Sequence, residues 1–387
     1  MTQHFDDTRL YLDPSTYTVE PQDVPGLLTF HCALPGYAPT PLISAPHLAA
    51  ALGVRTAWVK DESSRLGLPA YKILGASWAT YQELKFRFGP FQPWATLDEL
   101  AAQLARHAPL TLVAATDGNH GRAVARVASW LGLSAHVLVP LDMTHSRIQA
   151  IEQEGAQVQV VAGTYDDAVT AAAGLADADQ LVISDTAWTA YTRVPGWVIE
   201  GYSTIFQETD AQLAAMGASP PDLVAVQMGV GSLAAAVIQH YRTPGRLSHV
   251  VGVEPVQADC VLKSLQAGRL TEVPGPHASI MSGLNCGNAS PLAWPLLKRG
   301  LSASIAVPDI LAEQAMRLLA QDGMISGESG AAGAGGLLEL LGSPRAAPVR
   351  QALGIHEESS VLVISTEGAT DTEAYTRILQ PESSNSE

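Results

Sequence analysis

From about Thr111 onward, apolar residues alternate between two rhythms. Short, nearly continuous apolar runs of strand length occur at TLVAA from Thr111, AHVLVP from Ala135, VQVVAG from Val158 and LVIS from Leu181. Between the first two, Ala123, Val124, Val127, Ala128 and Leu131 recur at the spacing of one helix face. The pattern resumes with DLVAVQM from Asp222, HVVGVEP from His249, SIAVP from Ser304 and SSVLVIS from Ser359. Strands that are apolar on both faces need cover on both faces. This predicts an α/β protein of two doubly wound open sheets with helices on both faces. GWVIEGYSTIFQE, inside the stretch from Pro195 to Gly217, predicts a long helix returning the chain from one sheet to the other. The expected division is a small domain over 76–196, set into a large domain made of 1–75 and 197–387. The first 40 residues, with several prolines and little periodicity, are expected to wrap the body, and the terminal PESSNSE to fray.

Composition narrows the function classes. Among 387 residues, 22 Lys and Arg face 38 Asp and Glu, a net charge of −16, which excludes a basic nucleic-acid surface. With 47% hydrophobic and only 16% charged residues, the chain can fill a large core. No apolar run reaches the length of about 18 residues that a membrane span needs. The N-terminal MTQHFDDTRL is acidic rather than leader-like, so the chain reads as cytoplasmic. Cys32, Cys260 and Cys286 are too few for a disulfide scaffold, and no CxxC or HExxH spacing suggests a metal. Cys260 and Cys286 both lie near motifs described next, which leaves a pair between them open.

Ligands of open α/β sheets sit at the carboxyl ends of strands, and four segments there carry chemistry. In AYKILGASWA, Lys72 opens an Ala-rich helical run. The positive end of a helix disfavours the charged amine and eases access to a reactive neutral one, suited to a Schiff base with a carbonyl. In ATDGNHGR, a strand ends at Ala115, and Thr116, Asp117, Gly118 and Asn119 form a turn before a helix beginning around His120. Free amides there make a seat for a carboxylate, although Asp117 or Asn119 would also serve as a plain N-cap. In VQMGVGSLAAAV, Gly229, Val230, Gly231 and Ser232 lead into a helix without Lys or Arg until Arg242, a phosphate cradle of backbone amides. Gly229, Gly231 and Ala234 also fit GxGxxA, and Glu254 stands 20 residues beyond Ala234. A nicotinamide-dependent oxidoreductase is therefore a rival reading. Finally, the strand in VLVISTEGATD ends at Ser365 and Thr366, hydroxyls that can meet a ring nitrogen without bringing it a charge.

Together with FHCALPGYAPTPL from Phe30, SDTAWTAY from Ser184, IMSGLNCG from Ile280 and SGESGAAG from Ser326, these segments span nearly the whole chain. In this order they resemble the pyridoxal-phosphate enzymes of the tryptophan synthase β-type fold (fold type II), the group of threonine and serine dehydratases. Within that group the chain is most similar to the diaminopropionate ammonia-lyases, because Asp117 stands where a dehydratase usually has a small Ser or Ala. The resemblance implies pyridoxal 5'-phosphate on Lys72, Asn119 beside the ring hydroxyl, and Gly229, Val230, Gly231 and Ser232 around the phosphate. It places Ser365 at the pyridine nitrogen, with Thr366 as a close second. Elimination of ammonia from 2,3-diaminopropionate, giving pyruvate and a second ammonia, is the implied activity. The substrate carboxylate would rest on Thr116, Asp117, Gly118 and His120. Lys72 would act as base, with Asp117 or Asp185 pairing with the second ammonium. Asp117 would alternatively be a second base for the D-isomer. His120 reads more readily as part of the turn, Glu254 as shaping the site below the ring, and Trp188 and Tyr191 as entrance or core. A serine or threonine dehydratase of the same fold is the nearest alternative. Such folds are commonly homodimers.

Overall fold

The computed structural model describes residues 8–13, 15, 17–107, 109–116 and 118–380. Asp117, the first seven residues and the PESSNSE tail lie outside the described residues. Two sheets organise the chain. The smaller is fully parallel, with strands in the order Gln157–Val161, Ser134–Pro140, Thr111–Ala115, Gln180–Val182. The larger runs Arg9–Leu12, Ala303–Val307, His249–Pro255, Leu223–Gln227, Ser360–Ser365, Thr56–Asp61, Leu42–Ser44. Its five inner strands are parallel and its two edge strands antiparallel. Leu223–Gln227, Ala303–Val307 and Ser360–Ser365 are buried at every position, as their unbroken apolar pattern requires.

The apolar runs from Thr111 onward all became strands, whereas three strands in the first 61 residues were not foreseen. Arg9–Leu12 and Leu42–Ser44 are short edge strands, too brief to show a period. Thr56–Asp61 is central, yet it ends in two charged residues. The exception is made possible by pairing: Lys60, fully buried, places its Nζ 2.8 Å from Glu208 and donates to the Thr40 carbonyl at 2.8 Å. Arg65, equally buried, bridges Glu62 and Glu208. Two cations and two anions thus neutralise each other inside the core and tie the first third of the chain to the long helix Arg193–Ala215. Nearby His31 is kept neutral, its pKa pressed down to about 3 chiefly by burial.

The contact that positions the site is helix on helix. A Cβ on Gly75 would lie 2.5 Å from the Tyr202 ring, and one on Gly201 only 2.6 Å from the Leu74 carbonyl. Only glycine lets helices Lys72–Phe88 and Arg193–Ala215 approach this closely. That close packing fixes the start of the first helix, and with it Lys72.

Candidate active site

A cleft lies among strand ends and helix starts, with Lys72, Asn119, Asp185 and Thr366 on its walls. Gly229 to Ser232 form another wall. The structure therefore brings together residues that are separated by nearly 300 positions in the chain. Lys72 is the first residue of its helix, and its Nζ lies 2.5 Å from Asp185 Oδ2. Tyr165 donates its hydroxyl to Asp185 Oδ1 at 3.3 Å, and Ser232 Oγ donates to the Asp185 carbonyl at 2.6 Å. Burial by itself would raise the Asp185 carboxyl; the charges of Lys72 and His120 and the donated hydrogen bonds outweigh it and hold it well below the usual carboxylate range.

The glycine-rich run is built for an anion. Gly231 caps helix Ser232–Tyr241 with φ +93°, a left-handed conformation, and a Cβ there would also lie 2.6 Å from Leu297. As the first turn of that helix, Ser232, Leu233 and Ala234 have amides with no carbonyl one turn back. At Gly229 a Cβ would press within 3.1 Å of Cys286 Sγ and 3.2 Å of the Gly283 carbonyl, so a larger residue would narrow the cradle.

In the turn after Ala115, Asn119 starts helix Asn119–Trp130 and reaches the cleft, donating to Glu367 at 2.5 Å. Thr116 and His120 sit behind it. Thr116 Oγ1 accepts from the Gly118 and Gly121 amides at 2.8 and 3.0 Å, and His120 Nε2 bonds the Ile183 carbonyl at 2.7 Å. Both are buried and shape the turn.

Of the two terminal hydroxyls, Thr366 lines the cleft, while Ser365 is fully buried and donates to Ser326 Oγ at 2.8 Å. The Gln227 side-chain amide donates to Thr366 Oγ1 at 2.7 Å. Glu367 holds Asn119 on one oxygen and the Ser329 amide on the other, at 3.2 Å. Gln227, Glu367, Ser329 and Tyr165 were missed from sequence. Gln227 stands two residues before Gly229 in VQMGVG and Glu367 directly after Thr366 in STEG, and polar side chains at the ends of apolar strands were the available signal.

The oxidoreductase reading loses its key acid. Glu254 is fully buried, and its two oxygens accept from the Val261 and Leu262 amides, each at 2.8 Å, at the start of helix Cys260–Ala267. It caps a helix and neither binds a ribose nor lines the cleft. Trp188 and Tyr191 stack on each other with centroids 4.0 Å apart, and the Tyr191 hydroxyl donates to the Val182 carbonyl. They brace the strand end rather than line the cleft. Cys260 and Cys286 are not joined by a disulfide, and Cys286 lines the cleft. Among the described residues no cluster suited to a metal ion is present, and no helix is long and apolar enough to cross a membrane.

A lysine at a helix start, a cationless anion cradle and a neutral hydroxyl converging on one cleft define an enzyme of fold type II built around a phosphorylated carbonyl cofactor. The family model described as pyridoxal-phosphate dependent enzyme matches residues 33–365, and the chain belongs to that family. It is 36% identical over 359 residues to the diaminopropionate ammonia-lyase of Escherichia coli K12, covering 90% of this chain and 89% of that one. The solved structure of diaminopropionate ammonia-lyase from Escherichia coli in complex with D-serine superposes with a TM-score of 0.86 at 34% identity over 96% of each chain. Maize serine racemase, at 20% identity, 92% of this chain, 96% of its own and a TM-score of 0.72, shares the fold. The cofactor is pyridoxal phosphate, and the cradle, the lysine and the Thr366 hydroxyl found here fit its phosphate, carbonyl and ring.

Proposed function

We propose that this chain eliminates ammonia from 2,3-diaminopropionate, with release of pyruvate and a second ammonia. The amides at Gly229 to Ser232 hold the cofactor phosphate, Asn119 flanks the ring and Lys72 is the attachment point. Bound there, the cofactor supplies an electron sink for the charge left at the substrate α-carbon. Lys72 Nζ, once free as an amine, takes the α-proton. The substrate carboxylate rests on the turn 116–120. Loss of the β-ammonium leaves 2-aminoacrylate, which water converts to pyruvate and ammonia.

The observation that carries this reading is Asp185, a buried carboxylate on the cleft wall whose cationic partner is Lys72 itself. When Lys72 is engaged with the cofactor, its ammonium no longer balances Asp185. A buried unpaired carboxylate is costly, and a substrate with a second ammonium restores the pair while a hydroxyl does not. Asp117, two residues before Asn119 in the chain, is proposed as the base for the D-isomer. The enzyme would work in the cytoplasm as a homodimer, with the two sheets forming large and small domains. Product stoichiometry tests the reaction: two ammonia per pyruvate from 2,3-diaminopropionate, with serine turned over at least about 100-fold less efficiently, a gap of about 2.7 kcal/mol. Serine or threonine as the better substrate would overturn the reading in favour of a dehydratase.

A further inference from the structure

A second cleft opens beside the first and shares Asn119, Gly283 and Glu367 with it. Its outer wall is helix His145–Glu152, which contributes Ser146 and Arg147. The Arg147 stem lies over the turn that precedes Asn119: a Cβ on Gly118 would be 3.7 Å from Arg147 Cδ. Two other arginines on this flank have a carboxylate partner: Arg122, which also lines this cleft, and Arg126 share Glu154, at 3.0 and 2.6 Å. The Arg147 guanidinium has no ion pair or hydrogen bond among the described residues; its backbone amide donates to the Thr144 carbonyl at 3.1 Å. Glu328 feels its charge without touching it. A half-buried guanidinium on the cleft wall, with no ion-pair partner among the described residues, is poised to accept a carboxylate on its planar fork.

The surroundings narrow the ligand further. A chain of net charge −16 repels carboxylates at long range, and one unbalanced arginine at the mouth reverses that locally. Glu367, on the wall common to both clefts, presents the opposite charge deeper in. A ligand with a carboxylate at one end and an ammonium at the other matches this order. We propose that Arg147 forms an outer carboxylate subsite, where an α-amino acid docks before its carboxylate passes to the turn 116–120 and its amine to Lys72. The proposal rests on the reading of the main cleft as an amino-acid site, though not on which amino acid is eliminated.

Glycine and methylamine separate the two questions, because both amines react with a cofactor-bearing lysine and only glycine has a carboxylate. Stopped-flow absorbance of the holoenzyme gives the apparent second-order rate constant for each. In Arg147→Gln the glycine constant should fall about tenfold and lose most of its salt dependence, with methylamine unchanged; Arg147→Lys should retain most of the wild-type value. Equal glycine constants in wild type and Arg147→Gln would overturn the subsite. So would an equal fall for both amines, since the loss would not depend on the carboxylate. Failure of diaminopropionate turnover in the wild type would strike the proposed reaction alone and leave this comparison intact.

Discussion

Lys72 Nζ lies 2.5 Å from Asp185 Oδ2, and Ser232, at the edge of the phosphate cradle, fastens the Asp185 backbone from the other side. The lysine, the acid and the cradle therefore form one mechanical unit. Lys72→Ala should purify without the visible absorbance of bound cofactor and without turnover; retention of a yellow, borohydride-sensitive protein would refute the assignment of Lys72.

Asp185→Asn separates charge from shape at the same place. Diaminopropionate turnover should fall by at least about tenfold while the cofactor remains bound, and discrimination against serine should shrink. In the cofactor-free protein the substitution should cost on the order of 1–3 kcal/mol at neutral pH, since Lys72 is left beside a neutral amide. The pH dependence follows from the depressed Asp185 pKa. Its stabilising effect is complete above the ordinary aspartate value of about 3.9 and fades as pH falls below it, so the melting curves of variant and wild type should converge in acid. Parallel curves from pH 7 down to the acid limit would show that the pair contributes nothing.

Asp117 is tested by handedness. If it takes the proton from the D-isomer and Lys72 from the L-isomer, Asp117→Asn should lower D-substrate kcat by roughly 100-fold or more, with the L-substrate much less affected. Equal losses on both isomers would instead assign Asp117 to holding a group common to the two.

Much of this site was readable before any geometry. Gly231 and Lys72 lie in local patterns whose chemistry is carried by the helix starts themselves, and helices do begin there, one from the Ala-rich run at Lys72 and one after the glycine loop at Ser232. What stayed hidden depends on contacts distant in sequence. Strand Thr56–Asp61 carries a lysine whose charge is balanced in the core by Glu208, 148 positions away, with Thr40 and Gln212 accepting beside it. Glu254 met the spacing of a ribose acid, yet local backbone amides claimed both its oxygens. Arg147 shows no motif, because its significance lies in the carboxylate that Arg122 and Arg126 share and it lacks.

Gly231→Ala probes the cradle. The residue sits at φ +93°, where a side chain costs roughly 1–2 kcal/mol, and the new Cβ would meet Leu297 at 2.6 Å. Displacing the loop pulls its amides off the phosphate, so the dissociation constant for pyridoxal phosphate should rise by at least about tenfold, measured by equilibrium titration. Unchanged affinity would mean the phosphate is held elsewhere.

Thr366 and Ser365 are distinguished by their hydrogen bonds. Ser365 Oγ donates to Ser326 and is sealed from the cleft, so Ser365→Ala should cost about 1 kcal/mol of stability and leave the cofactor spectrum in place. Thr366 is different: because the Gln227 amide already donates to its oxygen, its own hydrogen is free to point into the cleft as a donor. A donor there meets an unprotonated ring nitrogen, which moderates electron withdrawal and suits elimination. Thr366→Val should therefore shift the visible absorbance maximum and weaken cofactor binding several-fold. Gln227→Glu should do the same with Thr366 intact, since a carboxylate in place of the amide would accept the hydroxyl hydrogen and turn it from the cleft. A spectral change in Ser365→Ala with none in Thr366→Val would reverse the assignment.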